Sequence, residues 1–287
     1  MARFQLEGAT VLLTGASRGI GPHIATALAR RGARIALVAR NAAGLASTEK
    51  LVTEAGGQAL VLPADITAPA DRHALLERAE SELGPIDVLV NNAGGDPQRQ
   101  FHNLTEQEIQ GILDLNLTSA VILSRLVLPG MLGRQHGHIV NISSMAGRTG
   151  FPYTESYAAA KDGLIGFTRV LRADYRSQGV SGSTLILGPV GEAGVGARTA
   201  QEVGLKLPPV GLVSPAKVGA QTVRAITRDK AELAVLPGPG RAMRAIMDRF
   251  PGLGPSMNRL ARVDRTMITV AEYREREARR VEHLTTG

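Results

Sequence analysis

Apolar runs of strand length, each followed by a stretch of helical character, recur along most of the chain, and this alternation narrows the fold more than any other feature. The runs are ATVLLTG (9–15), RIALVAR (34–40), QALVLPAD (58–65), IDVLVNNAG (86–94), GHIVNISS (137–144), STLILGPV (183–190) and ELAVLPG (232–238). Helices are predicted over 22–32, near 42–55, and over 68–83, 105–131, 154–178 and 215–228. Pro22 suits a first helical turn and Gly32 a C-terminal stop. Strands that are apolar nearly throughout are buried on both faces, and helical crossovers between them make a parallel sheet. The expected fold is α/β, a doubly wound and mainly seven-stranded parallel sheet with helices on both faces. Ligands of such sheets bind beyond the carboxyl ends of the strands. The stretches TGASRGIG, NNAG and SSMAG all fall there.

Composition excludes some chemistries. The chain has no cysteine, which removes disulfides and thiolate metal sites, and no metal is expected. No run of membrane-spanning length and no signal-like start is expected either, so the reading is cytoplasmic. The net charge of +7 invites nucleic acid. Its Lys and Arg residues are spread along the chain, however, and aromatics are only 3%, too few for base stacking. The charge fits attraction to anionic ligands such as phosphates.

TGASRGIG runs from Thr14 to Gly21 between a strand and a helix. Glycines at 15, 19 and 21 permit a tight turn, and a helix N-terminus offers N–H groups and a positive dipole end to a pyrophosphate. The plainer alternative is a glycine-rich turn without a ligand. In SYAAAK, Tyr157 and Lys161 stand four apart, on one helix face. The plain reading there is a Tyr packed on a Lys stem. A phenol with an ordinary pKa of about 10 is a poor base, and a neighbouring ammonium favours its phenolate.

TGASRGIG, NNAG, Asn116, Ser144 and YAAAK, in that order and spacing, resemble the short-chain dehydrogenase/reductase family over roughly residues 5–240. The resemblance implies a Rossmann-type NAD(P)-binding catalytic unit over 1–240, with 241–287 as a C-terminal helical extension of the same unit. It implies a carbonyl/secondary alcohol pair as substrate, with Tyr157 as general acid or base. Lys161 would tune Tyr157 and hold the nicotinamide ribose, Ser144 would polarise the substrate oxygen, and Asn116 would anchor a proton-relaying water. Ser143 is the fallback for Ser144. The cofactor would be held by Thr14, Gly15, Ser17, Arg18, Gly19, Ile20, Gly21, Arg40, Asp65, Ile66, Asn91, Ala93, Gly94, Tyr157, Lys161, Pro189 and Val190.

The second strand ends in Ala39, Arg40 and Asn41, with no carboxylate for a ribose 2′-hydroxyl. Arg18 and Arg40 suit a 2′-phosphate, so NADP(H) is expected over NAD(H). Solvated surface arginines are the alternative. Asp65 either meets the adenine edge or caps the next helix. Relatives usually carry Thr where this chain has Glu192, and no role is transferred to Glu192. Residues 191–212 are expected to form a lid. Residues 241–265, basic and apolar by turns, would cover the pocket, meet a partner subunit, lie on a membrane surface, or pack on their own domain; the charged tail after them would be a solvated helix. A homo-oligomer, dimer or tetramer, is expected through 105–131 and 154–178. An apolar substrate is expected, lined by Phe151, Pro152 and the Met-rich tail. The alternative to an enzyme is a cofactor-binding sensor on the same fold.

Overall fold

The computed structural model describes residues 4–191, 194, 199, 201–204, 211–238, 249, 252 and 263–285. Seven strands form one sheet: β1 (Thr10–Thr14), β2 (Arg34–Ala39), β3 (Gln58–Pro63), β4 (Val88–Asn91), β5 (Gly137–Ser144), β6 (Val180–Leu187) and β7 (Glu232–Val235). Their order is β3-β2-β1-β4-β5-β6-β7, and every pairing is parallel. The chain winds outward from β1 in one direction and from β4 in the other. The carboxyl ends of those two strands therefore border a crevice.

The pleat assigns residues to faces. Val11 and Leu13 of β1, Ile35 and Leu37 of β2, and Val88 and Val90 of β4 share one apolar cluster. It is closed by α1 (Gly21–Ala29), α2 (Ala42–Glu54) and α8 (Pro215–Thr227), through Ile24, Leu45 and Val218. Leu12, Ala36, Val38 and Leu89 point the other way. They meet α3 (Pro69–Leu83), α5 (Ser119–Gly133) and α7 (Glu155–Tyr175) through Leu75, Leu123 and Leu171. Both faces are thus covered, as the apolar strands required.

The long helix expected over 105–131 has internal structure. Thr105 and Glu108 form a capping box at the start of α4 (Glu106–Leu113). A π-helical turn, Asp114–Thr118, then joins it to α5. The span Glu106–Gly133 is long and apolar enough to cross a membrane, contrary to the sequence expectation. Here its Ile112, Leu123, Val127 and Met131 are buried. The sixth strand starts three residues earlier than expected, at Val180. Its first half, Val180 to Ser183, has a single apolar residue, Val180, beside two serines and a glycine, so the apolar signal is weak although the stretch is fully buried. Past Leu187, Pro189 has no N–H to extend the ladder.

The tail also differs from expectation. A helix we call α9 spans Val263–Thr285. It is not solvated all round, because Val270, Ala271 and Glu275 are buried. Most of 241–262 lies outside the described residues, so the readings placed there are not addressed.

His138 of β5 is 1% exposed, and its Nε2 lies 2.7 Å from the Ser183 hydroxyl. Burial pushes its pKa down from 6.5 to about 4, with Asp229 opposing and Arg172 assisting. An unfolded chain takes up this proton as pH falls below 6.5, whereas the folded chain resists until about 4. Stability carried by neutral His138 is therefore complete above pH 6.5 and lost as pH falls toward 4. Thermal melts of His138→Gln should lack a loss of roughly 3 kcal/mol that wild type shows across that window.

Candidate active site

The glycine loop is shaped by backbone contacts. Gly15 and Gly19 have φ of +65° and +66°, where side chains are strained. A Cβ on Gly15 would stand 2.7 Å from Ala93 Cα, and one on Gly21 would stand 2.3 Å from the Gly15 carbonyl oxygen. Helix α1 starts with no side-chain cap. Thr14, 1% exposed, accepts from the N–H groups of Asn92 and Ala93, both at 3.0 Å. Asn92 donates to the carbonyls of Thr14 and Gly15, which leaves its buried Oδ1 without a partner. A tight loop and an uncapped helix start, which offers N–H groups, together fit a dinucleotide pyrophosphate.

Sequence reasoning missed how this loop is buttressed. The Thr48 hydroxyl of α2 donates to the Ala16 carbonyl at 2.9 Å. A Cβ on Gly44 would stand 2.6 Å from the Ser17 carbonyl oxygen. Asn41 caps α2, accepting from Gly44 N. Arg18 is exposed in the loop. Arg40 follows β2, its side chain 74% exposed, with Nη1 3.7 Å from Asp65 Oδ2. Asp65 does not cap α3, whose N-cap is Ala68. Its Oδ1 accepts from the N–H and hydroxyl of Thr67 instead. Burial alone would raise the Asp65 carboxyl, but Thr67 and Arg40 hold it below its ordinary value. The buried guanidinium of Arg72 fixes the segment by donating to the carbonyls of Ile66 and Thr67.

Asn116, Ser144, Tyr157 and Lys161 come from three elements: the π turn, β5 and α7. Asn116 accepts from Gly95 N at 3.1 Å, and its Nδ2 donates to the carbonyls of Gly95 and Ile112. The π turn explains why a mid-helix Asn is tolerated, since such turns release helical carbonyls at functional sites. Gly94 packs between Asn116 and Lys161, where a Cβ would stand 2.7 Å from Asn116 Oδ1 and 3.0 Å from Lys161 Nζ. Lys161, 4% exposed, donates to the Ile142 carbonyl, and its Nζ lies 5.5 Å from the Tyr157 ring centroid. Ser144 Oγ accepts from Ala146 N at 3.1 Å and stands beside the Tyr157 phenol, where it favours the phenolate. Ser143 points away and donates to the Lys161 carbonyl, as the pleat requires. The short helix α6 (Ala146–Thr149) packs on α7 through Gly147 and an ion pair between Arg148 and Asp162 at 3.0 Å.

The electrostatics differ from expectation. Tyr157 is not lowered by Lys161. Burial pushes its pKa up to about 12, against the Ser144 hydrogen bond and with help from the charge of Asp96. Burial also pushes Lys161 down to about 8. Desolvation leads both shifts. Asp96 was not foreseen. Burial raises it to about 7, against a bond from Gln98 N and with help from Glu155. Nothing in its spacing marked it.

Asn91 turns its Nδ2 into the sheet, to Asn141 Oδ1 at 2.8 Å, and Asn141 continues to the Thr168 hydroxyl. Pro189 and Val190 are held by a parallel bridge from Val190 to Val213, with Val213 N donating to Pro189 O at 2.8 Å. That bridge brings together the two ends of the expected lid. Glu192 and much of 192–210 lie outside the described residues.

A family model described as short chain dehydrogenase matches residues 9–203. The ketoacyl reductase HetN of Nostoc sp. is 41% identical over 234 residues, 82% of this chain and 80% of that protein. The 3-oxoacyl-[acyl-carrier-protein] reductase FabG of Escherichia coli is 38% identical over 175 residues, 61% of this chain and 70% of that protein. Among solved structures, one described as a short-chain alcohol dehydrogenase of Sinorhizobium meliloti aligns with TM-score 0.71 and 30% identity over 81% of this chain and 96% of that one. One described as a short-chain dehydrogenase/reductase of Burkholderia xenovorans aligns with TM-score 0.74 and 26% identity over 81% and 97%.

The glycine contacts give a paired test. Gly15→Ala combines a positive φ with a backbone clash, and should cost at least about 2 kcal/mol in chemical denaturation. Gly95→Ala, with nothing within 4 Å of its Cβ and no positive φ, should shift stability by less than about 0.5 kcal/mol.

Proposed function

Because this chain belongs to the short-chain dehydrogenase family, and so is an oxidoreductase, we propose that it is an NADP(H)-dependent reductase of 3-oxoacyl substrates, converting a ketone to a secondary alcohol. The observation that carries this reading is the convergence of Ser144, Tyr157 and Lys161 beside Asn116 at the carboxyl ends of β4 and β5. The substrate class is supported by the names of HetN and FabG, both ketoacyl reductases.

The Ser144 hydroxyl stands beside the Tyr157 phenol, so a ketone oxygen placed between them would meet two hydroxyl donors. A dinucleotide held by its pyrophosphate at the glycine loop would supply the hydride from its reduced nicotinamide. Tyr157 passes its proton to the oxygen as the alkoxide develops. A phenol held at about 12 stays protonated at neutral pH, which is the state a general acid needs. The Lys161 ammonium near the ring then stabilises the phenolate that remains. Lys161 is in turn oriented by the Ile142 carbonyl.

NADP(H) is favoured by Arg40. No carboxylate follows β2, and the long, exposed Arg40–Asp65 pair is weak enough to yield to a phosphate. A guanidinium grips a 2′-phosphate bidentately. Homo-oligomerisation through α7 is favoured by Val170, which is 62% accessible on that helix.

Tyr157→Phe should lower turnover by roughly 10²–10⁴-fold while nicotinamide fluorescence still shows cofactor binding. Full turnover would favour another acid, and a cellular output insensitive to the change would favour a sensor. Arg40→Asp should weaken NADPH binding by about tenfold or more, with NADH less affected. Equal NADPH affinity in that variant would remove the case for NADP(H).

A further inference from the structure

The segment after β4 is fastened to a part of the chain far away in sequence. Glu275 of α9 is 5% exposed. Its Oε1 accepts from Arg99 Nε at 3.3 Å and from Gln100 N at 3.1 Å, and its Oε2 accepts from Arg99 Nη2 at 3.4 Å. Arg99 also pairs with Glu108 at the start of α4. Between these contacts and the catalytic cluster stands Gln98, with φ of +54°, a conformation a non-glycine residue holds only when its surroundings impose it. The Gln98 amide reaches Met267 of α9. The same helix also engages the segment after β6, through an ion pair between Arg274 and Glu202.

The near end of the segment is part of the site. Gly94 packs on Lys161, Gly95 bonds Asn116 in both directions, and the charge of Asp96 acts on Tyr157. Residues 94–100 therefore run from the catalytic cluster to α9 without an intervening helix or strand.

We propose that Glu275 is a positioning residue: acting through Arg99 and Gln100, it sets the segment 94–100 that forms one side of the substrate site, so that α9 tunes substrate binding without touching the cofactor. The proposal rests on the reductase reading for its kinetic consequence. Its structural consequence stands apart from that reading. The buried network explains why a carboxylate is used. Glu275 must accept from a guanidinium and a backbone N–H at once, and a charge-assisted set of this kind fixes geometry. Removing Arg99 leaves the buried Glu275 carboxylate without its cation, whereas Glu275→Gln leaves Arg99 paired with Glu108, so the isosteric amide is the suitable probe.

The test compares wild type, Glu275→Gln, Arg99→Met and the double variant. Amide hydrogen exchange in 95–103 should rise by about tenfold or more in each single variant, while exchange in β1 and β4 stays unchanged. With the N-acetylcysteamine thioester of a 3-oxo acid and NADPH, KM for the thioester should rise by about tenfold, with kcat within about twofold and NADPH affinity unchanged. The double variant should be no worse than the worse single one, because both remove the same link. Unchanged exchange in 95–103 would overturn the proposal. So would a parallel loss of melting temperature and NADPH affinity, which marks a merely structural role. If wild type reduces no 3-oxoacyl probe, the substrate reading falls while the exchange result still decides the role of Glu275.

Discussion

The junction between β1 and β4 is the constraint on which the site depends. The two strands are neighbours in the sheet, but the chain leaves them toward opposite edges. Thr14 holds their ends together by accepting two backbone N–H groups from across the gap. The backbones then approach so closely that Gly15 has no room for a Cβ. On one side of this junction the chain turns into the glycine loop. On the other it turns into the segment that packs on Lys161 and Asn116. The glycine loop and the Asn116–Lys161 side of the site are thus set relative to each other by the same few hydrogen bonds.

Around that junction, supports are layered. Helix α2 holds the glycine loop through Thr48 and Gly44. Within the sheet, Asn91, Asn141 and Thr168 link β4, β5 and α7 by side-chain hydrogen bonds, which fix the register of the elements carrying Ser144 and Tyr157. The charged groups of the site are held at an electrostatic cost. Tyr157, Lys161 and Asp96 are all displaced toward their neutral forms, with burial as the leading cause. For a reductase, a site so arranged keeps the proton on the phenol until the substrate oxygen demands it.

Much of the fold was legible. Apolar runs marked the strands, and Pro, Gly and capping residues marked several helix ends. Errors fell where burial does not require an apolar side chain. Ser181, Gly182 and Ser183 of β6 are small or polar yet buried, because their neighbours supply partners such as the His138–Ser183 contact. The tail read as solvated because a single buried carboxylate looks like surface until its partner is known. Of the two readings of Asp65, the cap is not made, because its hydrogen bonds close a turn before the helix starts.

The sequence by itself determined the alternation of strands and helices, the placing of Tyr157 and Lys161 on one helix face, and the glycines at which the chain must turn tightly. Each is a local consequence of backbone geometry and residue type, which is why a linear reading reaches it. The tertiary structure alone decided the sign of the Tyr157 shift, since desolvation depends on what the rest of the chain places around the phenol. It also decided the role of Asp96, the π turn that accommodates Asn116, and the union of Arg99 with Glu275 across 176 residues. Such contacts depend on how elements distant in sequence pack, and no local periodicity encodes them.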